Sequence, residues 1–204
     1  MPVTIRPARA EDAPILAGMI NEFAAQNLML PRTEEAILQS LADWLVAEEV
    51  MGANGAAPQA GGRILGCGAL AALTDELVEI RSLAVHPDGQ GQGIGSQLVE
   101  ALLEQARQRG FRQVCALTLR EHFFERLGFH VVDRWSISPK LWQECIYCAK
   151  FHRCDEVAVL KAVGSEPPQE ADLVRPAAWN PLLKWPAWQP LKLAYHRRPT
   201  ERKG

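Results

Sequence analysis

The spacing of apolar residues predicts a short strand and a helix at the start of the chain. The run from Val3 to Ile5 is typical of a strand that Pro7 ends, because proline lacks the amide N–H that a sheet needs. Apolar residues then recur every three or four positions, as on the buried side of a helix that begins near Asp12 and Pro14. Its inward positions are Leu16, Met19, Ile20 and Phe23.

The next segments predict a second helix, a loop and a pair of strands. The second helix follows Thr33, a common N-cap residue. Its inward positions are Ile37, Leu41, Trp44 and Leu45. Residues 52–62 are rich in glycine and alanine and predict a loop. Two strands over 63–73 and 76–85 follow, antiparallel because the turn between them is short.

The second half of the chain predicts a long helix and three more strands. A helix over 94–109 would bury Ile94, Leu98, Ala101 and Leu102 and end at Gly110. The further elements are a strand over 111–119, a short helix over 121–127, and strands over 128–132 and 156–161. This order predicts an α/β (α+β) domain, a mixed sheet with helices packed on it.

The net charge and the length of the apolar runs limit the partners that we expect for this protein. Residues 1–163 fit one medium-sized domain of ordinary hydrophobicity within a chain of 204 residues. The 22 basic and 24 acidic residues give a net charge of −2, which argues against nucleic-acid binding. The apolar runs are shorter than the roughly 18 residues of a membrane span, and no secretory signal opens the chain. We therefore expect a cytoplasmic protein.

Residues 164–204 differ from the rest in composition. They hold seven of the 14 prolines and three of the six tryptophans, a density that prevents regular helix or sheet. We expect an extended or disordered tail, although its tryptophans could also lie across the domain.

Five cysteines, an odd number, do not suggest a secreted disulfide framework. Cys145, Cys148 and Cys154, together with His152, could bind zinc, form a redox pair, or act as plain thiols beside a pocket. Because structural zinc sites usually close a longer loop, we predict no metal.

A glycine-rich turn between a strand and the long helix is the most informative motif. Its residues are Gln90, Gly91, Gln92, Gly93, Ile94, Gly95 and Ser96. Glycines allow positive φ and close approach of a ligand, and the amides at a helix N-terminus favour a pyrophosphate. The spacing does not match the Gly-x-Gly-x-x-Gly turn of dinucleotide-binding domains.

This turn, preceded by Leu83-Ala84-Val85-His86-Pro87, resembles the acetyl-CoA signature of the GNAT acetyltransferase superfamily. Residues 123–129, Phe-Phe-Glu-Arg-Leu-Gly-Phe, resemble its second landmark. The resemblance implies a GNAT fold: a mostly antiparallel mixed sheet of six or seven strands, splayed at the acetyl-CoA site. It also implies that Leu83, Ala84 and Val85 bind the pantetheine arm and that residues 90–96 hold the pyrophosphate.

The resemblance implies a catalytic base as well. Glu79 lies on the strand that carries Leu83 and Val85, and regular alternation predicts that its side chain faces the same side. A glutamate at this offset often acts as the base in the superfamily, usually through water. Many members have a tyrosine acid where this chain has Phe124, which cannot donate a proton. The acid is therefore unassigned, with His122 as a neighbour that could serve.

Five further runs carry a finer resemblance: Leu30-Pro31-Arg32-Thr33-Glu34, Gly66-Cys67-Gly68-Ala69-Leu70, Glu79-Ile80-Arg81-Ser82, Leu117-Thr118-Leu119-Arg120 and Pro139-Lys140. They resemble stand-alone N-acetylglutamate synthases, which begin arginine biosynthesis. This resemblance implies an amino-acid substrate, L-glutamate or L-glutamine, and allows a homodimer. The acceptor residues it implies are Arg32, Cys67, Arg81, Arg120 and Arg153. Arginine suits carboxylates because its guanidinium binds them in a bidentate way. Competing interpretations are acetylation of a protein N-terminus, a lysine or another small amine, and an acetyl-CoA sensor without turnover.

Overall fold

The computed structural model describes residues 2–50, 62–137, 139–140, 145–148 and 151–164. Seven strands form one sheet in the order β1-β2-β3-β4-β5-β7-β6. The strands are β1 (Val3–Pro7), β2 (Trp44–Glu49), β3 (Ile64–Ala72), β4 (Leu77–Val85), β5 (Gln113–Thr118), β6 (His130–Val132) and β7 (Val157–Ala162). Strands β4 and β5 run parallel and every other neighbouring pair runs antiparallel, which confirms the predicted fold class.

Helices cover both faces of this sheet. They are α1 (Ala13–Ala25), α2 (Glu34–Gln39), α3 (Ile94–Gln108) and α4 (Glu121–Glu125). The side chains of α3 pack with one face of the sheet into the largest apolar core, and those of α1 pack against the opposite face. Such two-sided cover is what a mixed sheet needs to bury both of its faces.

Local signals correctly placed the start of α2 and the end of α3. The Thr33 hydroxyl caps α2 by accepting a hydrogen bond from the Ala36 amide at 3.2 Å. Gly110 follows α3 with a φ of 84°, a left-handed conformation that favours glycine. The predicted loop and tail lie outside the described residues, except for Gly62 and Gly164.

The prediction that Trp44 and Leu45 lie on a helix is wrong. The second helix ends at Gln39, and Trp44 begins β2. Trp44 packs with α1 on one face of the sheet, whereas Leu45 packs with α3 on the other. A strand buried on both faces has no alternating polar positions, so its apolar run resembles that of a buried helix.

Strand β4 is irregular at Ser82, which has a φ of 52°. The pairing with β3 shifts at this point, with Cys67 opposite Ala84 but Ala69 opposite Arg81. One extra residue in β4 forms a bulge, and a bulge reverses the alternation of side chains beyond it.

The parallel pairing of β4 with β5 is short. It extends over residues 77–79 of β4 and ends with Glu79 opposite Cys115. Strand β4 then continues to Val85 with β3 as its partner. Beyond Glu79, the edge of β4 on the β5 side therefore makes no strand pairing within the described residues. This opening between parallel strands leads directly to the N-terminus of α3. None of the helices in the described part of the chain is long and apolar enough to cross a membrane.

Candidate functional site

The glycine-rich turn forms the N-terminus of α3, as predicted. Gly91 and Gly93 have φ values of 75° and 79°, and a Cβ at either position would meet no other atom within 4 Å. Glycine is therefore favoured at both positions because of the left-handed backbone conformation, and not because a side chain would collide with neighbouring atoms. The amides of the first turn of α3 and its dipole favour an anion at this position.

The turn is tied to the end of β4 by side-chain hydrogen bonds. Gln90 Nε2 donates to the Val85 carbonyl at 3.0 Å, and Gln92 Nε2 donates to the Asp88 carbonyl at 2.8 Å. The His86 amide donates to the Leu65 carbonyl of β3, so the neighbouring Val85 amide points to the opposite, open edge of β4. An extended ligand that follows this edge would reach the first turn of α3.

Phe124 belongs to the hydrophobic core. Its ring is buried and makes edge-to-face contacts with Phe123 and Phe129, each with ring centroids 5.1 Å apart. A Cβ on Gly95 would lie 3.4 Å from the ring of Phe123, an ordinary van der Waals contact, so the N-terminus of α3 lies beside α4. His122 is exposed on α4, and its bond to Glu125 raises the pKa of the imidazole.

Glu79 is buried at the point where β4 and β5 separate, with an exposed fraction of 4 %. Its Oε2 lies 2.9 Å from Nζ of Lys140, which is itself only 5 % exposed. An ion pair at this depth holds its two charges together, because neither could be accommodated alone without a large desolvation cost.

The prediction that Glu79 faces the same side as Leu83 and Val85 is wrong. Ile80, Leu83 and Val85 all pack toward the core beneath α3. Glu79 therefore points to the opposite face, because the bulge at Ser82 changes the alternation between these residues. The Glu79 carboxylate thus lies on the face of the sheet that α1 covers. The open edge of β4, with the Val85 amide, leads toward the N-terminus of α3.

Arg32 reaches this same face beside the bulge. Asn21 of α1 holds its backbone twice: Asn21 Nδ2 donates to the Arg32 carbonyl at 3.0 Å, and the Arg32 amide donates to Asn21 Oδ1 at 3.1 Å. The Arg32 Nε lies 3.4 Å from the Ser82 hydroxyl. The structure thus brings Arg32 to β4 within a few residues of Glu79 and Arg81.

Cys67 lies beneath this group and is fully buried. Its Sγ is 3.7 Å from the Ser82 carbonyl, and burial raises the pKa of the thiol to about 12. Because Cys67 is fully buried, its thiol is not exposed to a substrate. The thiol packs from β3 against the bulge of β4.

Arg120 and Arg153 lie on other elements than Arg32. Arg120 is the N-cap residue of α4 and lines an open cavity of about 480 Å³ together with His122, Arg126 and Asp155. Arg153 is exposed at the end of a short 3₁₀ turn, Phe151–Arg153, and does not line that cavity. The predicted acceptor arginines are thus presented by three places in the fold: Arg32 and Arg81 at β4, Arg120 between β5 and α4, and Arg153 on its turn.

Sequence reasoning assigned no role to Lys140, Ser82 or Asn21. Lysine is rarely buried, so nothing local marks Lys140 as a partner of Glu79. Ser82 adopts a positive φ without being glycine, which leaves no sequence signal for the bulge. Asn21 lies on an exposed helix position whose partner is eleven residues away.

No disulfide bond joins any of the cysteines in the described residues. Cys67 and Cys115 are buried, as predicted. Burial raises the pKa of Cys145, which lies near Lys140, Glu79 and Cys154. Among the residues that the structure describes, no three His, Cys, Asp or Glu side chains are arranged to hold a metal ion.

Comparison with known proteins agrees with this architecture. A family model described as an acetyltransferase (GNAT) domain matches residues 41–131. An uncharacterized N-acetyltransferase of Chlorobaculum tepidum is 33 % identical over 159 residues, which cover 78 % of this chain and 96 % of that protein. An amino-acid acetyltransferase of Mycobacterium tuberculosis is 31 % identical over 140 residues, which cover 69 % of this chain and 75 % of the relative.

A solved structure is similar as well. The Mycobacterium tuberculosis protein Rv2747, crystallised in complex with CoA, superposes with a TM-score of 0.65 at 27 % identity, covering 78 % of this chain and 98 % of that one. The open edge of β4, the glycine turn at α3 and these relatives all lead to one conclusion. The chain belongs to the GNAT family of acetyl-CoA-dependent N-acetyltransferases.

Proposed function

We propose that this enzyme transfers the acetyl group of acetyl-CoA to the α-amino group of L-glutamate, with L-glutamine as the other candidate acceptor. The position of Arg32 carries the proposal. A guanidinium that is fixed through its backbone by Asn21, and that lies beside Ser82, suits the α-carboxylate of an amino acid. The similarity to an amino-acid acetyltransferase supports the same substrate class.

The position of Glu79 supports its role as the base. Glu79 precedes Ser82 by three residues on β4, so an amino acid bound by Arg32 beside Ser82 would lie close enough to Glu79 for one bridging water. Through that water the carboxylate would accept a proton from the substrate ammonium group. The free amine would then attack the thioester carbon, and the C–S bond would break to release CoA as a thiolate that takes up a proton.

The donor would bind along the opposite side of the bulge. The Val85 amide at the open edge of β4 would bind the pantetheine arm, and the amides of residues 90–96 would hold the pyrophosphate. Arg81 and Arg120 would add positive charge for the second carboxylate of glutamate, whereas Asp155 beside Arg120 would favour neutral glutamine. In the cell the reaction would be the first step of arginine biosynthesis, in the cytoplasm.

The test is release of free thiol from acetyl-CoA with each proteinogenic amino acid as acceptor. We expect turnover with glutamate or glutamine and little with the others. Tight acetyl-CoA binding without turnover on any amino acid would instead favour a protein or amine acceptor, or a sensor.

A Glu79→Gln variant tests the base. We expect kcat to fall about 100-fold or more, with the dissociation constant of acetyl-CoA unchanged, because removal of a general base costs roughly 10²–10⁴ in rate. Glu104→Gln, at an exposed position on α3, is the matched control. A Glu79→Gln enzyme that retains wild-type kcat would remove the assignment.

A further inference from the structure

Lys140 reaches Glu79 from the segment between β6 and β7. A 3₁₀ turn, Arg134–Ile137, precedes it, and Ile137 is fully buried against the face of the sheet that carries Glu79. Ile137 packs with Leu77 of β4 and Cys115 of β5 in a separate small core. This apolar anchor fixes the backbone close to the place where Lys140 extends to the carboxylate.

The charge environment of Glu79 depends strongly on Lys140. Cys115 faces it from β5 and Cys145 lies close by, and burial raises the pKa of both thiols, so both are neutral at physiological pH. Arg81 follows two residues later on β4. The Lys140 ammonium is in direct contact with the carboxylate, at 2.9 Å from Oε2.

We propose that Lys140 is a positioning residue for acetyl transfer: it holds the Glu79 carboxylate in its charged form and in one orientation at the base of the opening between β4 and β5. The inference rests on the proposed role of Glu79 as base. A carboxyl group at this depth would otherwise bind a proton at neutral pH, since burial without a partner disfavours the charged form. A protonated Glu79 could not accept the proton of the substrate.

The geometry explains why a lysine suits this place. Its ammonium is a compact charge on a flexible apolar stem, and that stem can cross the small core while the charged end meets one carboxylate oxygen. Because Lys140 lies on a different segment from the acceptor and donor residues, its removal should change the base without removing a contact to either substrate.

Lys140→Met tests the proposal through the pH dependence of kcat/KM for the amino acid. We expect the acidic limb to move to higher pH by at least about one unit, so that the rate at neutral pH falls about tenfold and recovers in alkaline buffer. Lys140→Arg keeps a cation and should leave the limb close to that of the wild type. The dissociation constant of acetyl-CoA should be unchanged in both variants.

Two further variants separate this role from general stabilisation. Arg6→Met removes a cation from another buried ion pair, at the edge of the sheet, and should leave the acidic limb in place. The double variant Glu79→Gln/Lys140→Met has no buried charge to leave unpaired and should be no slower than Glu79→Gln alone, because Lys140 acts through Glu79. It also provides a test if Lys140→Met alone does not fold.

The outcomes are distinct. An active wild type whose Lys140→Met variant keeps the original acidic limb would overturn the positioning role, as would a double variant slowed by the product of the two single effects. A wild type without turnover on any amino acid would refute the proposed function instead. In that case the acid titration of the Glu79 carboxyl, followed by difference infrared spectroscopy against Glu79→Gln, still shows whether Lys140 keeps it charged.

Discussion

Two ion pairs with little exposure to solvent lie at different places in the sheet, one at the edge strand β1 and one at the central strand β4, and they differ in the cation and its partners. Arg6 of β1 binds Asp12 through two nitrogens, at 2.7 and 3.1 Å, and Glu48 of β2 through a third at 2.7 Å. The pair of Glu79 and Lys140 joins β4 to the segment between β6 and β7, with Nζ 2.9 Å from Oε2. The first network connects two strands and the start of α1, whereas the second lies at the opening between β4 and β5.

The difference shows what each cation does for the protein. The Arg6 guanidinium binds two carboxylates from neighbouring elements. These hydrogen bonds stabilise the edge of the sheet. The ammonium of Lys140 binds a carboxylate that lies at the opening between β4 and β5, beside the proposed site of reaction. We therefore expect loss of Arg6 to change stability, and loss of Lys140 to change catalysis as well as stability.

The largest effect should come from Arg6→Met. It leaves the buried Asp12 and the half-buried Glu48 without their cation, and we expect the unfolding free energy to fall by about 1.5–3 kcal/mol, the contribution of hydrogen bonds to charged groups. Arg112→Met, which removes an exposed pair with Glu76, should cost less than about 1 kcal/mol. Urea denaturation measures both; an Arg6→Met variant as stable as Arg112→Met would show that the edge network does not stabilise the fold.

A smaller and pH-dependent effect is expected for Asp12→Asn. Burial tends to raise the pKa of Asp12, but its hydrogen bonds with Arg6 and with the Arg9 amide outweigh this and lower it. A carboxyl with a lowered pKa in the folded state stabilises the protein above the ordinary Asp value of about 3.9, and this contribution disappears as the pH falls through the folded value. The difference in unfolding free energy between wild type and Asp12→Asn should thus shrink in acid. A constant difference would contradict this charge-based explanation.

The smallest of the three effects should be seen at Arg32, which reaches the cleft but is not part of either buried pair. Arg32→Ala should raise the KM for the amino acid by about 10- to 100-fold, since a hydrogen bond to a charged group contributes roughly 1.5–3 kcal/mol. Arg32→Lys should give a smaller increase, and the KM for acetyl-CoA should be unchanged in both. Steady-state kinetics with the two substrates varied separately decide this, and an unchanged acceptor KM would rule out Arg32 as the carboxylate ligand.

Local patterns predicted the parts of the fold that depend on neighbouring residues. The α3 helix, its glycine turn and its end at Gly110 all follow from residues within a few positions of one another. The hairpin of β3 and β4 follows from two apolar runs and a short turn. The second helix was extended too far because β2, which is buried on both faces, has the apolar run of a buried helix.

The chemistry of the cleft was predicted only in part. Glu79 and Arg32 were identified by resemblance, but their orientation depends on the bulge at Ser82, which reverses the alternation on which the prediction relied. Arg120 and Arg153 were also identified by resemblance, and the structure places Arg120 just before α4 and Arg153 on a short 3₁₀ turn.

By itself the sequence determined the glycine turn, the acetyl-CoA signature and the type of most elements, because these depend on short-range backbone preferences and on spacing. Only the tertiary structure decided which face of β4 carries Glu79 and which cation meets it. Lys140 is 61 positions away along the chain, and the approach of two such residues depends on how the apolar surfaces of the sheet and of the segment around Ile137 pack together. A one-dimensional pattern does not contain that information.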